Sequence, residues 1–426
     1  MSGTIGNNIL SHSGSIAVTA AGLNWVSSIV TASTVTVESG NGYWINTTSN
    51  ACTITLPASA EAGDQIVIVD YARTWGTNKI IIDSNGLNYQ GNADTYTVEY
   101  TTSGQSVNLI YSDSTKGWLP LEDDVAAFSH IPPPTQKGVF AYGHDGSSEV
   151  SLKNLLGSNG VIAADVTGVG TARQQIGATS YGGDKAIFAY GYSGGYVNMS
   201  NLVNTSGVIG SDVTGVGTAR YKVAAARFGG DKGIFAYGMK GGDALTNDSN
   251  LVSNVGVVAT DGTGVGTARV ATSGVGYGGD KALFAFGNSA SAGDYSLKNL
   301  VSNTGVIGSD VTGVGTARKS LAAVSYGVGL AIYTYGIDAA GTIYTVRNLV
   351  SNVGVVAADA SGAGTGRFFG AAAAYGGDKG AIAYGTTGSF VSLKNLVSNT
   401  GVVAANVTGV GTARSSLAGA GYSQSA

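Results

Sequence analysis

The nonapeptide DVTGVGTAR, residues 165–173, sets a Gly-x-Gly beside an arginine. These are the residue types of a phosphate cradle, where glycine brings backbone amides close to an anion and a cation pairs with it. The stretch returns as DVTGVGTAR at 212–220, DGTGVGTAR at 261–269, DVTGVGTAR at 310–318, DASGAGTGR at 359–367 and NVTGVGTAR at 406–414. A phosphate loop needs a strand–loop–helix setting, and no helical pattern follows any copy. Six copies argue instead for an architectural part. Its glycines permit positive φ or close backbone approach. Its leading Asp or Asn is expected to bond amides two residues on, and its arginine to donate to nearby carbonyls and carboxylates. Calcium would need more than one carboxylate per loop.

Other reactive constellations are sparse. His12, His130 and His144 show no metal-ligand spacing. Cys52 has no histidine near it in sequence, and a lone cysteine forms no intramolecular disulfide. The one Gly-x-Ser-x-Gly string, GYSGG at 191–195, lacks the strand-to-helix setting of a nucleophile elbow. The acidic residues recur mainly at equivalent turn positions, not as the facing pair a glycosidase uses. The expectation is a protein that is not an enzyme and holds no cofactor and no metal. A net charge of -4 without a basic run argues against nucleic acid. No apolar run approaches the ~18–20 residues of a membrane span, so no insertion is expected. The start, MSGTIGNNIL, lacks the basic-then-apolar order of a secretory signal.

The elements that must position these residues follow from composition. Glycine, at 68 residues, is more than twice its usual ~7% share, and charged residues are 11% against about 25% on average. Val, Thr, Ser and Tyr are plentiful and good helix formers scarce, which predicts an all-β chain of short strands and tight turns. All five prolines lie before residue 135 and all four tryptophans before residue 119. The stretch FSHIPPPTQ (128–136), whose prolines favour an extended segment, divides the chain: a small β domain over 1–130, a linker over 131–136 and the repeats over 137–426.

The repeats carry NLV or NLL at Asn154, Asn201, Asn250, Asn299, Asn348 and Asn395, at intervals of 47, 49, 49, 49 and 47. A period of 40–50 residues points to a propeller or solenoid. Each unit reads as four strands, as in YKVAAARFG (221–229), KGIFAYG (232–238), SNLVS (249–253) and VGVVATD (255–261), with a GGD hairpin turn after the first. The first unit, TQKGVFAYG (135–143), lacks its first strand, and SSLAGAGYSQSA (415–426) supplies one. The complementary ends predict a six-bladed β-propeller closed by the C-terminal strand, a design that removes sheet edges.

The order of arginine, apolar first strand, glycine turn and apolar second strand ending in glycine resembles kelch-type propellers over 137–426, with the paired glycines ahead of the second strand. Residues 43–119 carry LPAS, GDQIVIVDY, NKIIIDSNG, LNYQG and SVNLIYSDSTKGW in order. This layout, with the leader MSGTIGNNILSHSGSI, resembles a small all-β module of bacteriophage tail fibres and other virion appendages. The resemblance implies a structural virion protein whose N-terminal domain docks on other virion proteins; without a signal, the chain is expected to be synthesised in the host cytoplasm. It also implies a homo-oligomer, most commonly a trimer.

Differences between repeats gather in two places. One is the pair after the arginine, including Gln174, Gln175, Tyr221, Lys222, Lys319, Phe368 and Phe369. The other is the loop after the second strand, including Tyr192, Tyr196, Tyr295, Tyr344 and Phe390. In a meander both places lie at one end of the blade. Variable loops on a constant scaffold suit recognition, and the aromatics suit stacking on a host glycan or contact with a host protein. The alternative is a capsid or tail decoration or spacer protein that binds no receptor.

Overall fold

The computed structural model describes residues 23–94, 98–121, 135–289 and 293–425, and the backbone of 9–12 and 15–18. The side chain of His12, all of His130, residue 426 and most of the expected proline linker (131–134) lie outside the described residues. The described chain is all-β and contains no α-helix. It forms two compact units, Met1–His130 and Ile131–Ala426.

The first unit begins with the hairpin β1 (Ile9–His12) and β2 (Ser15–Val18). Its strands then alternate between two sheets. β3 (Asn24–Val30), β5 (Asn41–Ile45) and β7 (Gln65–Asp70) pair in parallel on one side. β4 (Thr34–Thr36), β6 (Cys52–Thr55) and β8 (Ile80–Asp83) pair in parallel on the other. Antiparallel β9 (Val98–Tyr100), β10 (Ser106–Tyr111) and β11 (Trp118–Pro120) extend the two sheets. Strict alternation in β7, QIVIVD, turns Ile66 and Ile68 into a core shared with Ile54, Ile80, Trp75 and Trp118. The sequence predicts the strands 65–71, 78–83 and 106–112. The coil-like path, in which successive strands change sheets instead of turning back as hairpins, is a finding of the structure.

The second unit is a series of small antiparallel sheets. β12 (Lys137–Ala141) pairs with β13 (Lys153–Leu156). The next sheet holds β14 (Gly177–Tyr181), β15 (Lys185–Tyr192) and β16 (Tyr196–Val203). β17 (Arg220–Tyr221), β18 (Ala224–Phe228), β19 (Lys232–Lys240) and β20 (Ala244–Val252) form the third. β21 (Ser273–Tyr277), β22 (Lys281–Ser289) and β23 (Gly293–Val301) form the fourth. The fifth holds β24 (Ala322–Tyr326), β25 (Leu330–Thr334) and β26 (Arg347–Val350), and the sixth β27 (Ala371–Tyr375), β28 (Lys379–Ala383) and β29 (Lys394–Val397). β30 (Ala418–Tyr422) returns to pair with β12, from Lys137↔Tyr422 to Ala141↔Ala418.

Two expectations are corrected. The fourth strand of each unit is not a ladder. VGVVATD bridges its neighbour only at Val252↔Val258, and the residue after it at Ser249↔Gly262. The Asn250 amide takes over there, donating to the Ala259 carbonyl (2.9 Å) and to Asp261 Oδ1 (2.9 Å). The predicted first strand 221–229 is also broken, because Lys222 has φ +55°. Tyr221 pairs with Met239 at the far end of the second strand, while Ala224–Phe228 pairs with its near part.

Neighbouring sheets share cores: Phe228, Ile234 and Tyr237 pack with Phe284, Val301 and Ile307, and Phe140 and Leu156 with Tyr375 and Tyr384. Burying each such side chain stabilises by about 1.5–3 kcal/mol. Backbone bonds also join hairpin tips in sequence: Gly182 to Asp231 (2.7 Å), Gly229 to Asp280 (2.6 Å), Gly278 to Gly329 (2.8 Å), Gly327 to Asp378 (2.8 Å), and Gly376 to Gln136 (2.9 Å). Ser423, which accepts from the Gln136 amide (2.7 Å), donates to Asp184 (2.8 Å), the last residue of the turn where the series began.

Candidate recognition site

The six arginines of the nonapeptide are buried, none more than 1% exposed. Arg173 shows what holds them. Its guanidinium lies 4.2 Å from the Tyr142 ring centroid in the preceding sheet. It donates to the carbonyls of Tyr190 (3.1 Å) and Thr171 (3.1 Å) and to Asn201 Oδ1 (2.6 Å). The Asn201 amide donates to Asp212 (2.9 Å), and Asp212 Oδ2 accepts from the Thr171 amide (3.0 Å) and hydroxyl (2.7 Å). The leading aspartate therefore bonds the preceding nonapeptide, not its own turn as the sequence reading expected. The glycines divide the two roles assigned to them. A Cβ at Gly168 would meet the Ser151 carbonyl at 1.4 Å, and Gly170 has φ +83° with Asp212 2.4 Å from where a Cβ would sit. A buried cation is tolerated only when its donors are satisfied and its charge is faced, and this lattice does both. The same lattice joins Arg414 to Tyr142 O (3.0 Å) and Asn154 (2.7 Å), residues of the first sheet. Arg367 differs. Asn406 stands where the others meet an aspartate, and the Arg367 Nε is buried without a partner.

Burial resists ionisation of Asp165, Asp212, Asp261, Asp310 and Asp359, but bonds from the threonine and asparagine and the arginine charge outweigh it, so their carboxyls titrate below the usual range. A depressed folded value means stability that is present above the unfolded pKa of about 3.9 and lost as pH falls through the folded values. Burial pushes Tyr142, Tyr190 and Tyr384 up to about 12, with the arginine charges opposing. Their contribution is present below the unfolded value of about 10 and lost above it. The melting temperature is expected to fall below about pH 4 and above about pH 10, measured by calorimetry across buffers. A midpoint unchanged down to pH 2 would contradict the acidic half.

The residue two after each arginine adopts a left-handed backbone: Gln175, Lys222, Ala271, Ser320, Phe369 and Ser416 have φ between +52° and +58°. For residues with a Cβ this costs energy, and the repeat offsets it with bonds between sheets. Lys222 donates to Gln175 (2.9 Å), Gln175 to Ser416 (2.7 Å), Ser416 to Phe369 (2.9 Å), Phe369 to Ser320 (3.1 Å) and Ser320 to Ala271 (2.9 Å). These residues, with the first half of each first strand, line a cavity of about 140 Å³ that has room for a few waters or one small group.

All twelve residues singled out from the sequence are half-buried. The residue just after each arginine lies beside the end of the second strand: Gln174 bridges Tyr192, Lys319 bridges Ile337 and Phe368 bridges Thr386. Tyr196 stacks on Tyr221 at 5.0 Å, and Tyr192 stands 6.1 and 6.0 Å from the two rings. Asp243 accepts from the Tyr196 hydroxyl (2.5 Å), and that bond pushes the phenol up to about 12. Gln174 donates to Glu149 (3.0 Å). The others are dispersed. Lys319 pairs with Asp294 (3.6 Å), Tyr295 shares a hydrogen bond with Ser289 (3.1 Å), and Tyr344 donates to Asp338 (2.8 Å). Phe390 packs edge-on to His144 (5.9 Å), and Phe368 lies 5.3 Å from Phe369. Asp243, Asp294 and Asp338, missed as partners, all lie in the loops whose variability drew attention. A register argument across the second hairpin would have found them.

Among the described residues no three His, Cys, Asp or Glu side chains gather as a metal site, and no helix is long and apolar enough to cross a membrane. Burial raises the Cys52 thiol to about 11, which suppresses its thiolate at neutral pH. No protein-family model matches the chain, and no curated protein matches it in sequence.

Proposed function

We propose that residues 137–426 close into a six-bladed, kelch-like β-propeller. We propose further that the chain is a structural component of a bacteriophage virion, a fibre or tail-associated protein whose propeller presents a recognition face to the host. Closure is supported by the pairing of β30 with β12, the circuit of bonds between hairpin tips and the reach of Arg414 into the first sheet. The virion assignment rests on the resemblance of residues 43–119 to a phage appendage module. On that reading the N-terminal domain attaches to other virion proteins and the chain works as a homo-oligomer, a trimer by the same resemblance.

The Tyr192–Tyr196–Tyr221 cluster carries the recognition reading. No other repeat places three aromatics at these equivalent positions. Packing the three half-buried rings together stabilises the unit by about 0.5–1.5 kcal/mol per pair and also leaves aromatic surface for a partner. A glycan or protein partner gains about 0.5–1.5 kcal/mol per aromatic contact. Virions carrying Tyr192→Ser, Tyr196→Ser and Tyr221→Ser together are expected to adsorb to host cells at least tenfold more slowly, with the melting temperature of the purified protein within a few degrees of the parent. Parental adsorption by the folded variant would replace recognition with the spacer or decoration role.

A further inference from the structure

The ring of left-handed residues repeats one backbone six times but carries six side chains of unequal chemistry. Lys222 is the single charged residue among those lining the central cavity. It makes no ion pair among the described residues, and its ammonium lies 5.1 Å from the Tyr221 ring centroid. Burial first, then the nearby charge of Lys319, pulls it below its ordinary range, with Asp243 opposing. Both neighbours are committed elsewhere, Lys319 to Asp294 and Asp243 to Tyr196. On the same lining, the Ser320 hydroxyl is buried, 7% exposed at the residue, and has no hydrogen-bond partner. Buried hydroxyls are normally satisfied. Gln175 adds an amide to the same rim. A half-buried cation, a hydroxyl and an amide around one small cavity, with the stacked Tyr221 ring 5.1 Å from that cation, match a ligand that is anionic, hydroxylated and flat on one face.

We propose that the mouth of this cavity binds the anionic group of an acidic saccharide, carboxylate or phosphate. Lys222 is its charged partner, the Ser320 hydroxyl and Gln175 amide are neutral partners, and Tyr221 with its stacked neighbours packs on the adjoining sugar face. This deepens the recognition reading and names its ligand class. The cavity at about 140 Å³ admits the charged group and not a whole oligosaccharide, so the sugar rings stay outside, over the tyrosines.

The test is titration of the purified full-length chain, by calorimetry or NMR, with galacturonate oligomers, neutral galactose oligomers of equal length and hexose phosphates. Galacturonate or hexose phosphate is expected to bind about tenfold or more tighter than the neutral sugar, the margin of one charged hydrogen bond, and to weaken with salt. The tighter acidic probe identifies the group. Lys222→Met is expected to erase the preference and Lys222→Arg to keep it. Ser320→Ala should weaken acidic binding a few-fold, and Lys281→Met, which removes a lysine paired with Asp280 at a hairpin turn away from the cavity lining, should change it less than twofold. Equal binding of acidic and neutral sugars, binding of none, or a preference that survives in folded Lys222→Met overturns the proposal. If Lys222→Met does not fold, Ser320→Ala and the salt series decide. Loss of adsorption in the tyrosine variant without acidic-sugar binding leaves recognition standing and removes this ligand. Lys222-dependent binding with unchanged adsorption does the reverse.

Discussion

Arg269→Met is expected to destabilise the second unit by about 3–5 kcal/mol, the cost of removing one partner from a buried charged network. The substitution strips the donors from Phe286 O, Thr267 O and Asn299 Oδ1, and takes the cation from the Tyr237 ring and from Asp310. Methionine fills much of the volume, so the loss reports on polar contacts. Arg367→Met is the internal control and is expected to cost less, because neutral Asn406 takes the aspartate's place beside Thr365 and Asn395 and the Arg367 Nε is already without a partner. Asn406→Asp, which restores the arrangement of the other five, is expected to raise the melting temperature. Denaturant unfolding of the three variants checks the order. Equal losses for Arg269 and Arg367 would show that the aspartates contribute nothing.

Deletion of 415–426 is expected to have the other large effect. It removes β30, whose Tyr422 and Leu417 are buried at 2% and 6% exposure, and with it the second neighbour of β12. Two large side chains at about 1.5–3 kcal/mol each, with a strand of ladder bonds, amount to about 5 kcal/mol or more. It also leaves β12 as an open edge, a template for aggregation. Deleting 424–426 alone, outside the strand, is the control. Calorimetry and light scattering read both. A long deletion that melts like the control would mean that β30 does not close the unit.

Repetition made this much legible from sequence. The arginine, asparagine and aspartate recur at fixed spacing, so their joint role was visible as architecture before any contact was known. The apolar strands were visible for the same reason. Which nonapeptide an aspartate serves was not legible, because bonds within one turn and bonds to the preceding turn demand the same residue. The fourth strand was overread: VGVVATD has strand composition, yet the Asn250 side chain supplies the bonds that a ladder would have made. The left-handed backbone at Lys222 and its counterparts carries no glycine or asparagine to announce it, since bonds between sheets impose it. The parallel path of the first unit was hidden because alternation fixes which face a residue takes and not which strand lies beside it. Of the candidate site, the tyrosine cluster was readable as positions. Ser320 was not, because it reads as one more small residue in a variable pair.

The bond from Arg414 to the Tyr142 carbonyl spans 272 residues, and it fixes the order of events during synthesis. β12 is among the first strands of its unit to leave the ribosome, and its partner β30 is the last. Until then the first sheet has one ladder instead of two, the lattice around Asn154 lacks its guanidinium, and the circuit of hairpin bonds stays open at one point. Sheets two to six can each gain their own arginine as they emerge, because those contacts are local. Pairing of β30 with β12 across the repeat array is therefore expected to be the slow step, because its loop entropy must be met before those bonds form. A half-made chain carries an exposed strand edge throughout translation, and the finished repeat array has its seam where β12 and β30 pair.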